Sequence, residues 1–565
     1  MIITQVTIHN FRSILHQSFT AYDYMLLVGS NNSGKTTVLD CLRAFYEKDK
    51  YSYNESRDFP KMHAQDDESW IDIEYTLSTD EFSTLEEEYR IEGNRFHVRK
   101  YFKTDKILDA KKTAKGVILP YRQDGSLKMK AFCSAAEISR GKLGTVIFIP
   151  AVNKVEDYTK LSGPSAMRDL IASIMTDVLV GNPVYEALQS NIAVFGNDIM
   201  KAETEDGKSL EGFEAELNSV MIPWGAGFGL QFSTPSAADI VKNMLGWSIR
   251  DTNLGKEQEI DSYGSGLQRH FIFSTIRIGS SYIKQPAKAG TGFFPTLNLL
   301  LFEEPEAFLH PSQQLSLAED LRKLSINNGW QVICSTHSSH FVSKNMMNLT
   351  SIVHLVKQAT ETKLHQIEQP NLIELTEMNN ALKAIAEKWE KLRKRLTEDD
   401  FCQEMDALKY FMYFNSERAS VFFSPHVLLV EGPSEVVLIN RLRDLGKLTF
   451  PETYYVMDCF GKFNLHRFMN LFALLGITHS VIFDTDNYEN EHADLNQLVS
   501  DSTNDFTKNI AEIPGDLESC LGIPKCTYKD KKPQVLLYAL EKGKIEEEKL
   551  DAFCKIVEGI FTEHS

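Results

Sequence analysis

Short apolar runs, each ending in glycine, hydroxyl or acidic residues, recur along this chain. Tyr24-Met25-Leu26-Leu27-Val28 runs into glycine, and Leu297 to Phe302 runs into Glu303 and Glu304. Gln331 to Ser335, His426 to Val430, Tyr454 to Met457 and His479 to Phe483 follow the same pattern. Each is too short for a helix and reads as a buried strand. From His426 onward such strands alternate with helical patterns, such as Val436 to Leu445, so an α/β fold with a parallel sheet is expected there. Near the N-terminus the pattern differs. Val6 to Arg12, Trp70 to Leu77 and Phe96 to Phe102 alternate apolar with polar residues, which predicts antiparallel strands with one wet face.

Two longer stretches have helical spacing and no evident chemistry. One runs from about Val155 to Thr234 and reads as an insertion. In the other, Leu375, Met378, Leu382, Ile385, Trp389, Leu392 and Leu396 alternate spacings of three and four. This predicts one long helix with a heptad seam, packing on itself or on a partner. Its basic cluster, Lys388, Lys391, Arg393, Lys394 and Arg395, reads as a solvated face with Glu387 and Glu390 among it.

Composition narrows the classes. At 565 residues the chain exceeds a single core, so two to four domains are expected. No stretch approaches the roughly 20 apolar residues that span a bilayer, and MIITQVTIHNFR is no signal peptide. The expected location is the cytoplasm, with no membrane partner. The eight cysteines are scattered without a CxxC pair and read as free thiols rather than zinc ligands. A net charge of −18 argues against a chain coated in basic surface for nucleic acid, but not against a local basic channel or metals screening an acidic site.

The first candidate chemistry is a phosphate cradle. Gly29-Ser30-Asn31-Asn32-Ser33-Gly34-Lys35-Thr36-Thr37 follows a strand and opens a helix, which fits G-x-x-x-x-G-K-[ST] in its required context. Glycines let backbone N–H groups curl around phosphates, and the helix N-terminus adds a favourable dipole. Asn31, Gly34, Lys35, Thr36 and Thr37 are the candidate ATP contacts. Lys35 suits the β- and γ-phosphates, and the Thr36 hydroxyl suits Mg²⁺. Glu303 and Glu304 are delivered by a buried strand, as P-loop folds present a metal-side carboxylate and a water-polarising one. Glu304 is the candidate catalytic acid; Glu303 stands where Asp is usual.

The order of motifs carries more than any one of them. A strand ending Asn10-Phe11-Arg12 ahead of the phosphate loop resembles the start of ATPases of the chromosome-maintenance and recombination-repair type. Tyr263-Gly264-Ser265-Gly266-Leu267-Gln268-Arg269 resembles a variant ABC signature, which implicates Ser265 and Gly266 in nucleotide binding. LLLFEEPEAFLHP resembles the Walker B region of ABC-type ATPases of the overcoming-lysogenization-defect family, and His337 resembles the switch histidine at the γ-phosphate. In such heads the signature of one subunit closes over the nucleotide of another, which implies a homodimer or higher homo-oligomer. One departure is the absence of a clear Q-loop glutamine in Val146 to Asn153.

The third chemistry is acidic. Strands deliver Glu431-Gly432-Pro433-Ser434-Glu435, Asp458 followed by Gly461-Lys462-Phe463-Asn464, and Asp484-Thr485-Asp486. Carboxyl ends of neighbouring parallel strands lie together, so Glu431 and Asp484 are expected to converge. If the strand persists through Asp486, Asp484 and Asp486 share a face. Carboxylates gathered so closely repel without a cation, which points to Mg²⁺ or Mn²⁺. VEGPSE followed by FDTD resembles a Toprim domain, and the fusion with an ABC-type ATPase resembles the overcoming-lysogenization-defect nucleases and the Gabija nuclease subunits. The resemblance adds Glu518 to Glu431, Glu435, Asp484 and Asp486 as metal ligands, and makes Lys532, ahead of Lys531, the lysine that stabilises the scissile phosphate.

What the resemblance implies is an ABC/SMC-like P-loop ATPase with a helical insertion, followed by a Toprim domain. The expected division is residues 1–154 and 235–370 for the ATPase and 155–234 for a dimerisation element. Residues 371–423 form a helical linker and 424–565 the Toprim unit. The implied function is that of an ATP-binding and ATP-hydrolysing, metal-dependent DNA endonuclease in antiphage defence, with a possible partner protein or RNA. The alternatives are an ATP-driven DNA-binding scaffold whose Toprim unit is not catalytic, or a primase- or topoisomerase-type activity.

Overall fold

The computed structural model describes residues 1–47, 51–108, 112–133, 142–151, 182–222, 226–230, 255–258, 260–280, 295–327, 330–345, 348–396, 401–488 and 490–562, with isolated residues between 171 and 250 and at 293. The chain forms two compact units. One holds Met1–Ala151 and Thr291–Ser565; the other is Val152–Gly290.

The first unit contains three sheets. The ATPase sheet has six strands in the order Glu361–Gln366, Ile352–Gln358, Tyr24–Val28, Trp330–Ser335, Asn298–Glu303, Thr145–Ile149. All neighbours are parallel except the first pair, a hairpin at the edge. Tyr24–Val28 is buried along its whole length, as its unbroken apolar run requires of a strand covered on both faces. Its central place points the phosphate loop at the carboxyl edge, flanked by the strand that ends at Ser335.

The alternating N-terminal segments form a five-stranded antiparallel sheet, ordered Ile14–Thr20, Ile2–Phe11, Ser69–Thr76, Arg95–Lys103, Ile118–Pro120. Its apolar face, with Ile8, Ile71 and Val98, shares one core cluster with Met25 and with Leu39 and Leu42 of the helix Lys35–Tyr46. The helix that opens at the phosphate loop is thus held between the two sheets.

The third sheet is parallel, in the order Tyr455–Asp458, Val427–Val430, His479–Asp484, Thr507–Ile513. Leu428 and Ile482 from the sheet join Leu438, Leu536 and Phe553 from its helices in one core. This sheet is docked on the ATPase edge. His354 Nδ1 lies 2.7 Å from the Leu475 carbonyl, and its Nε2 lies 3.2 Å from the Phe422 carbonyl. Gly476 has φ 65°, and a Cβ there would lie 2.3 Å from the His365 ring, so only glycine fits this approach.

The heptad seam does not form one long helix. It is divided into Gln369–Asn379, Ala381–Lys388 and Glu390–Arg395, with extended backbone at Trp389. The reason is what covers it: Leu382, Ile385 and Leu392 share a core with Leu495 and Leu498 of the Toprim helix Glu491–Asp501. Trp389 Nε1 donates to Asp494 Oδ2 at 2.8 Å, and Lys391 Nζ pairs with Glu491 at 2.5 Å. The seam bends to follow a nearby domain of its own chain. Part of the basic cluster is paired with that acidic helix, Lys388 lying 3.6 Å from Asp494, whereas Lys394 pairs within its own helix with Glu390 at 2.6 Å. The Arg395 side chain lies outside the described residues.

The second unit, by itself, contains helices Pro183–Lys201, Leu210–Met221 and Ser265–Ser280. Among the described residues no helix is long and apolar enough to cross a membrane.

Candidate functional site

Two groups of side chains sit at carboxyl edges of parallel sheets. At the ATPase edge, Gly29 and Gly34 adopt φ 145° and 105°; added Cβ atoms would lie 2.3 Å from the Leu355 carbonyl oxygen and 2.7 Å from Thr362 Oγ1. The loop is therefore restricted to glycine at both positions. Lys35 Nζ donates to the carbonyls of Gly29 and Ser30 at 2.9 and 2.8 Å. Burial lowers its pKa to about 8, against the pull of Glu304, Glu306 and Glu303. Thr36 Oγ1 donates to Glu303 Oε1 at 2.5 Å, so the two groups expected on the Mg²⁺ side are in contact. Ala151, just past the strand Thr145–Ile149, donates its N–H to Glu303 Oε2 at 3.3 Å. Val152 and Asn153, at the end of the stretch where a Q-loop glutamine is expected, lie outside the described residues.

Glu304 has φ 44° and its N–H donates to the Ser335 carbonyl at 2.8 Å. That turn carries Glu304 Oε1 to 3.6 Å from His337 Nε2. Burial, and then the nearby Lys35 charge, lower the His337 pKa to about 4, so the ring is neutral near pH 7. A cavity of about 600 Å³ is lined by Asn31, Lys35, Thr36, Glu304, His337 and Arg12, among others. The second unit contains Ser265, at the start of its helix, and Gly266; the Ser265 side chain lies outside the described residues.

Two residues at this edge received no role from the sequence. Glu306 is half-buried with its carboxyl turned inward, the carboxyl pKa raised by desolvation, and its Oε1 accepts the His337 backbone N–H at 2.5 Å. Arg12, at φ 53°, donates to Asp58 and Asp40, each at 2.9 Å, and to the Tyr51 hydroxyl at 2.7 Å. The repeated glutamates of EEPE, and an arginine closing a strand before a phosphate loop, were the signals available.

At the Toprim edge, strand order brings Val427–Val430 beside His479–Asp484, and Glu431 Oε1 accepts the Asp484 N–H at 2.8 Å. The strand stops at Asp484, contrary to the expected continuation through the DTD: Asp486 has φ 47° and begins a 3₁₀ turn, Asp486–Tyr488. The turn is fixed from the neighbouring segment, because Asp486 N–H donates to the Gly515 carbonyl at 2.7 Å. The two aspartates consequently face different partners.

Asp484 Oδ2 accepts the Leu517 N–H at 3.2 Å. Burial pushes its pKa well up, with Glu431 repulsion adding, and Glu431 is pushed up by burial in turn. Glu435 caps its own helix by accepting the Gly432 N–H at 3.1 Å; burial and then Asp484 raise its pKa to about 7. Lys532 Nζ lies 2.8 Å from Glu518 Oε2, with Glu435 and Asp484 within its electrostatic reach. Asp516 is taken up by an N-cap to Ser519 N–H at 2.8 Å and by Lys525 at 2.5 Å.

Asp486 faces the other way. Its Oδ2 lies 2.6 Å from Lys462 Nζ and 2.8 Å from His492 Nδ1. Lys462 also lies 3.5 Å from Glu431 Oε1 and donates to the Asp484 carbonyl. Lys462 carried no role in the motif reading; its place after Gly461, in the turn that follows the strand Tyr455–Asp458, was the available signal. Among the described residues no three carboxylate, histidine or thiolate groups close into a finished metal cage. The donors are all carboxylate oxygens except His492, which suits a hard divalent cation. The raised pKa values of Glu431, Glu435 and Asp484 reflect the burial and mutual repulsion that such a cation relieves.

Two family models match the chain. Residues 1–139 and 167–342 match the AAA ATPase domain, and residues 422–486 match the Toprim domain of overcoming-lysogenization-defect-like proteins. The Old nuclease of Escherichia phage P2 is 24% identical over 87% of this chain and 79% of its own length. Endonuclease GajA of Bacillus cereus strain VD045 is 22% identical over 86% and 75%. Among solved structures, an SMC head bound to the C-winged helix domain of ScpA aligns at 12% identity and TM-score 0.38 over 66% of this chain and all of that one, too loose a match to carry an argument. The chain belongs to the AAA ATPase domain family and carries, C-terminal to that domain, an overcoming-lysogenization-defect-like Toprim domain.

Proposed function

We propose that the protein is an ATP-dependent, divalent-metal-dependent DNA endonuclease. The observation that carries the reading is the gathering of Glu431, Glu435, Asp484 and Glu518 with Lys532 at one sheet edge, with Asp486 beside them on Lys462, in a chain whose other parallel sheet presents a phosphate loop, an acid pair and a histidine. The names of its relatives, Old nuclease and Endonuclease GajA, support the same activity.

Glu431, Glu435, Asp484, Asp486 and Glu518 are the residues that would hold Mg²⁺ or Mn²⁺. A bound pair of such ions supplies an activated water and steadies the leaving oxygen of the phosphodiester. Lys532, held by Glu518, places a positive charge for the scissile phosphate. At the ATPase edge, Asn31, Gly34, Lys35, Thr36 and Thr37 cradle ATP and Glu303 holds the Mg²⁺ side. Glu304 polarises the attacking water beside His337. Ser265 and Gly266 act on the nucleotide of a second copy, which makes a homodimer the smallest working unit. The protein acts in the cytoplasm in antiphage defence, a setting in which a partner protein or RNA of the same defence system has a place.

A second reading has its own observation. Lys462 and Lys532 already offset part of the acidic charge, as they would in a non-catalytic Toprim unit that serves an ATP-driven DNA scaffold. Plasmid cleavage separates the two. Wild type is expected to cut DNA with Mg²⁺ or Mn²⁺, and Asp484→Ala to lose cutting. Glu304→Gln is expected to alter the nucleotide dependence. No cutting by wild type under any metal and nucleotide condition sinks the nuclease reading; undiminished cutting by Asp484→Ala sinks the site assignment.

A further inference from the structure

A lysine ammonium lies inside the Toprim carboxylate cluster with only 4% of its surface exposed. Lys462 starts the short turn after the strand Tyr455–Asp458, at one edge of the sheet. Its side chain crosses the end of Val427–Val430 to reach the end of His479–Asp484, two strands away. The root of the turn is tied down on the way: Gly461 N–H donates to the Glu431 carbonyl at 2.6 Å and Cys459 N–H to the Val430 carbonyl at 2.9 Å. The Nζ then meets Asp486 Oδ2 at 2.6 Å, Glu431 Oε1 at 3.5 Å and the Asp484 carbonyl. Three oxygens from two strand ends thus surround one buried positive charge.

That arrangement has a consequence for metal loading. Glu431 Oε1 and Asp486 Oδ2 are the oxygens turned to the ammonium, and while it holds them they are drawn away from a divalent ion at the same edge. Two cations side by side in a poorly solvated site repel strongly. The other lysine differs. Lys532 approaches from the helix Lys532–Glu541 on the Glu518 side, and is more exposed.

We propose that Lys462 is an internal competitor for the divalent metal: its ammonium stands among Glu431, Asp486 and the Asp484 carbonyl, and is displaced when the ion binds. This rests on the metal-dependent reading above. In the absence of metal, Lys462 holds the carboxylates together. Its displacement frees the turn at Gly461–Asn464 from the strand end of Asp484.

Mn²⁺ binding to the full-length protein without nucleotide, measured by calorimetry and by Mn²⁺ electron paramagnetic resonance, tests it with Lys462→Gln, Lys462→Arg and Asp484→Ala. Gln keeps a donor for the Asp484 carbonyl and removes the charge, so Lys462→Gln is expected to bind Mn²⁺ tighter by on the order of tenfold. Lys462→Arg keeps the charge and is expected to stay near wild type. Equal or weaker binding by Lys462→Gln, with binding abolished in Asp484→Ala, overturns the competition alone. Wild-type binding in Asp484→Ala overturns the metal reading beneath it. A measurement on the wild-type chain needs no variant to fold. Amine acylation read by mass spectrometry is expected to modify Lys462 several-fold faster when Mn²⁺ is present, as an amine now 4% exposed is released to solvent. Unchanged or slower acylation overturns the displacement.

Discussion

Glu304 Oε1 lies 3.6 Å from His337 Nε2, and the two residues come from adjacent parallel strands paired at Glu303 and Ser335. The left-handed backbone at Glu304 turns its side chain toward the histidine, while Glu303 stays with Thr36. Two consecutive glutamates are thereby given separate partners. Glu304→Gln is expected to keep ATP binding and to slow its turnover on the order of a hundredfold. Phosphate release and nucleotide-binding assays on the same sample check this; equal loss of binding and turnover contradicts it.

Glu306 is expected to act on turnover through His337. Its carboxyl accepts the His337 N–H and is buried. Glu306→Ala leaves that donor unpaired, at a cost of about 1–3 kcal/mol in stability. Glu306→Gln keeps an acceptor of the same length and should recover most of the stability. Denaturant unfolding gives the first quantity, and the ATPase rate shows whether the histidine keeps its place.

Asp484→Asn should abolish DNA cutting and yet stabilise the metal-free protein at pH 8. Burial and the neighbouring acids raise the folded-state pKa of Asp484, so the folded form disfavours its charge. The stability associated with its proton is present below its unfolded pKa, about 3.9, and is lost as pH rises through the folded value. The gain from Asn is therefore largest at alkaline pH and shrinks toward pH 4. Melting curves in chelator at several pH values test both sign and trend.

His354 has the opposite sign. Burial depresses its pKa to about 4 although it lies against two carbonyls. Its contribution is present above the unfolded pKa of about 6.5 and is lost as pH falls toward the folded value. His354→Gln should cost most at pH 7.5, and its gap to wild type should narrow by about 1.4 kcal/mol per pH unit between 6.5 and 4. A constant gap across that window would show that the ring is not held neutral.

Leu392→Ala tests what the heptad seam is for. Leu392 is buried with Leu495 and Leu498, so the substitution should cost about 2–5 kcal/mol without changing the oligomeric state. Loss of oligomer with little loss of stability would return the seam to a partner helix.

The strands at both sites were legible because an apolar run ending in acid or glycine has few other uses. Tyr24–Val28 and His479–Asp484 lie where those runs predict them. The heptad seam misled because spacing shows which face is apolar and not what covers it. Leu382 and Leu392 have the spacing of a coiled coil, but Leu495 and Leu498, about a hundred residues later, were the cover. The two aspartates of the DTD misled for a similar reason. Alternation predicts a shared face only while the backbone stays extended, and a carbonyl from Gly515 turns it.

By itself the sequence determined the parallel-sheet class, the phosphate loop, the acid pair and the carboxylates carried to a common edge. These follow from local rules: buried runs make strands, glycines permit left-handed turns, and parallel strands deliver their ends to one side. Only the tertiary structure decided that Glu306 holds the histidine segment, that Asp484 and Asp486 face apart, and that Lys462 lies among the acids. Those are contacts between residues distant in the chain or separated by an intervening strand, and their pairing depends on sheet order and turn geometry that no local pattern encodes.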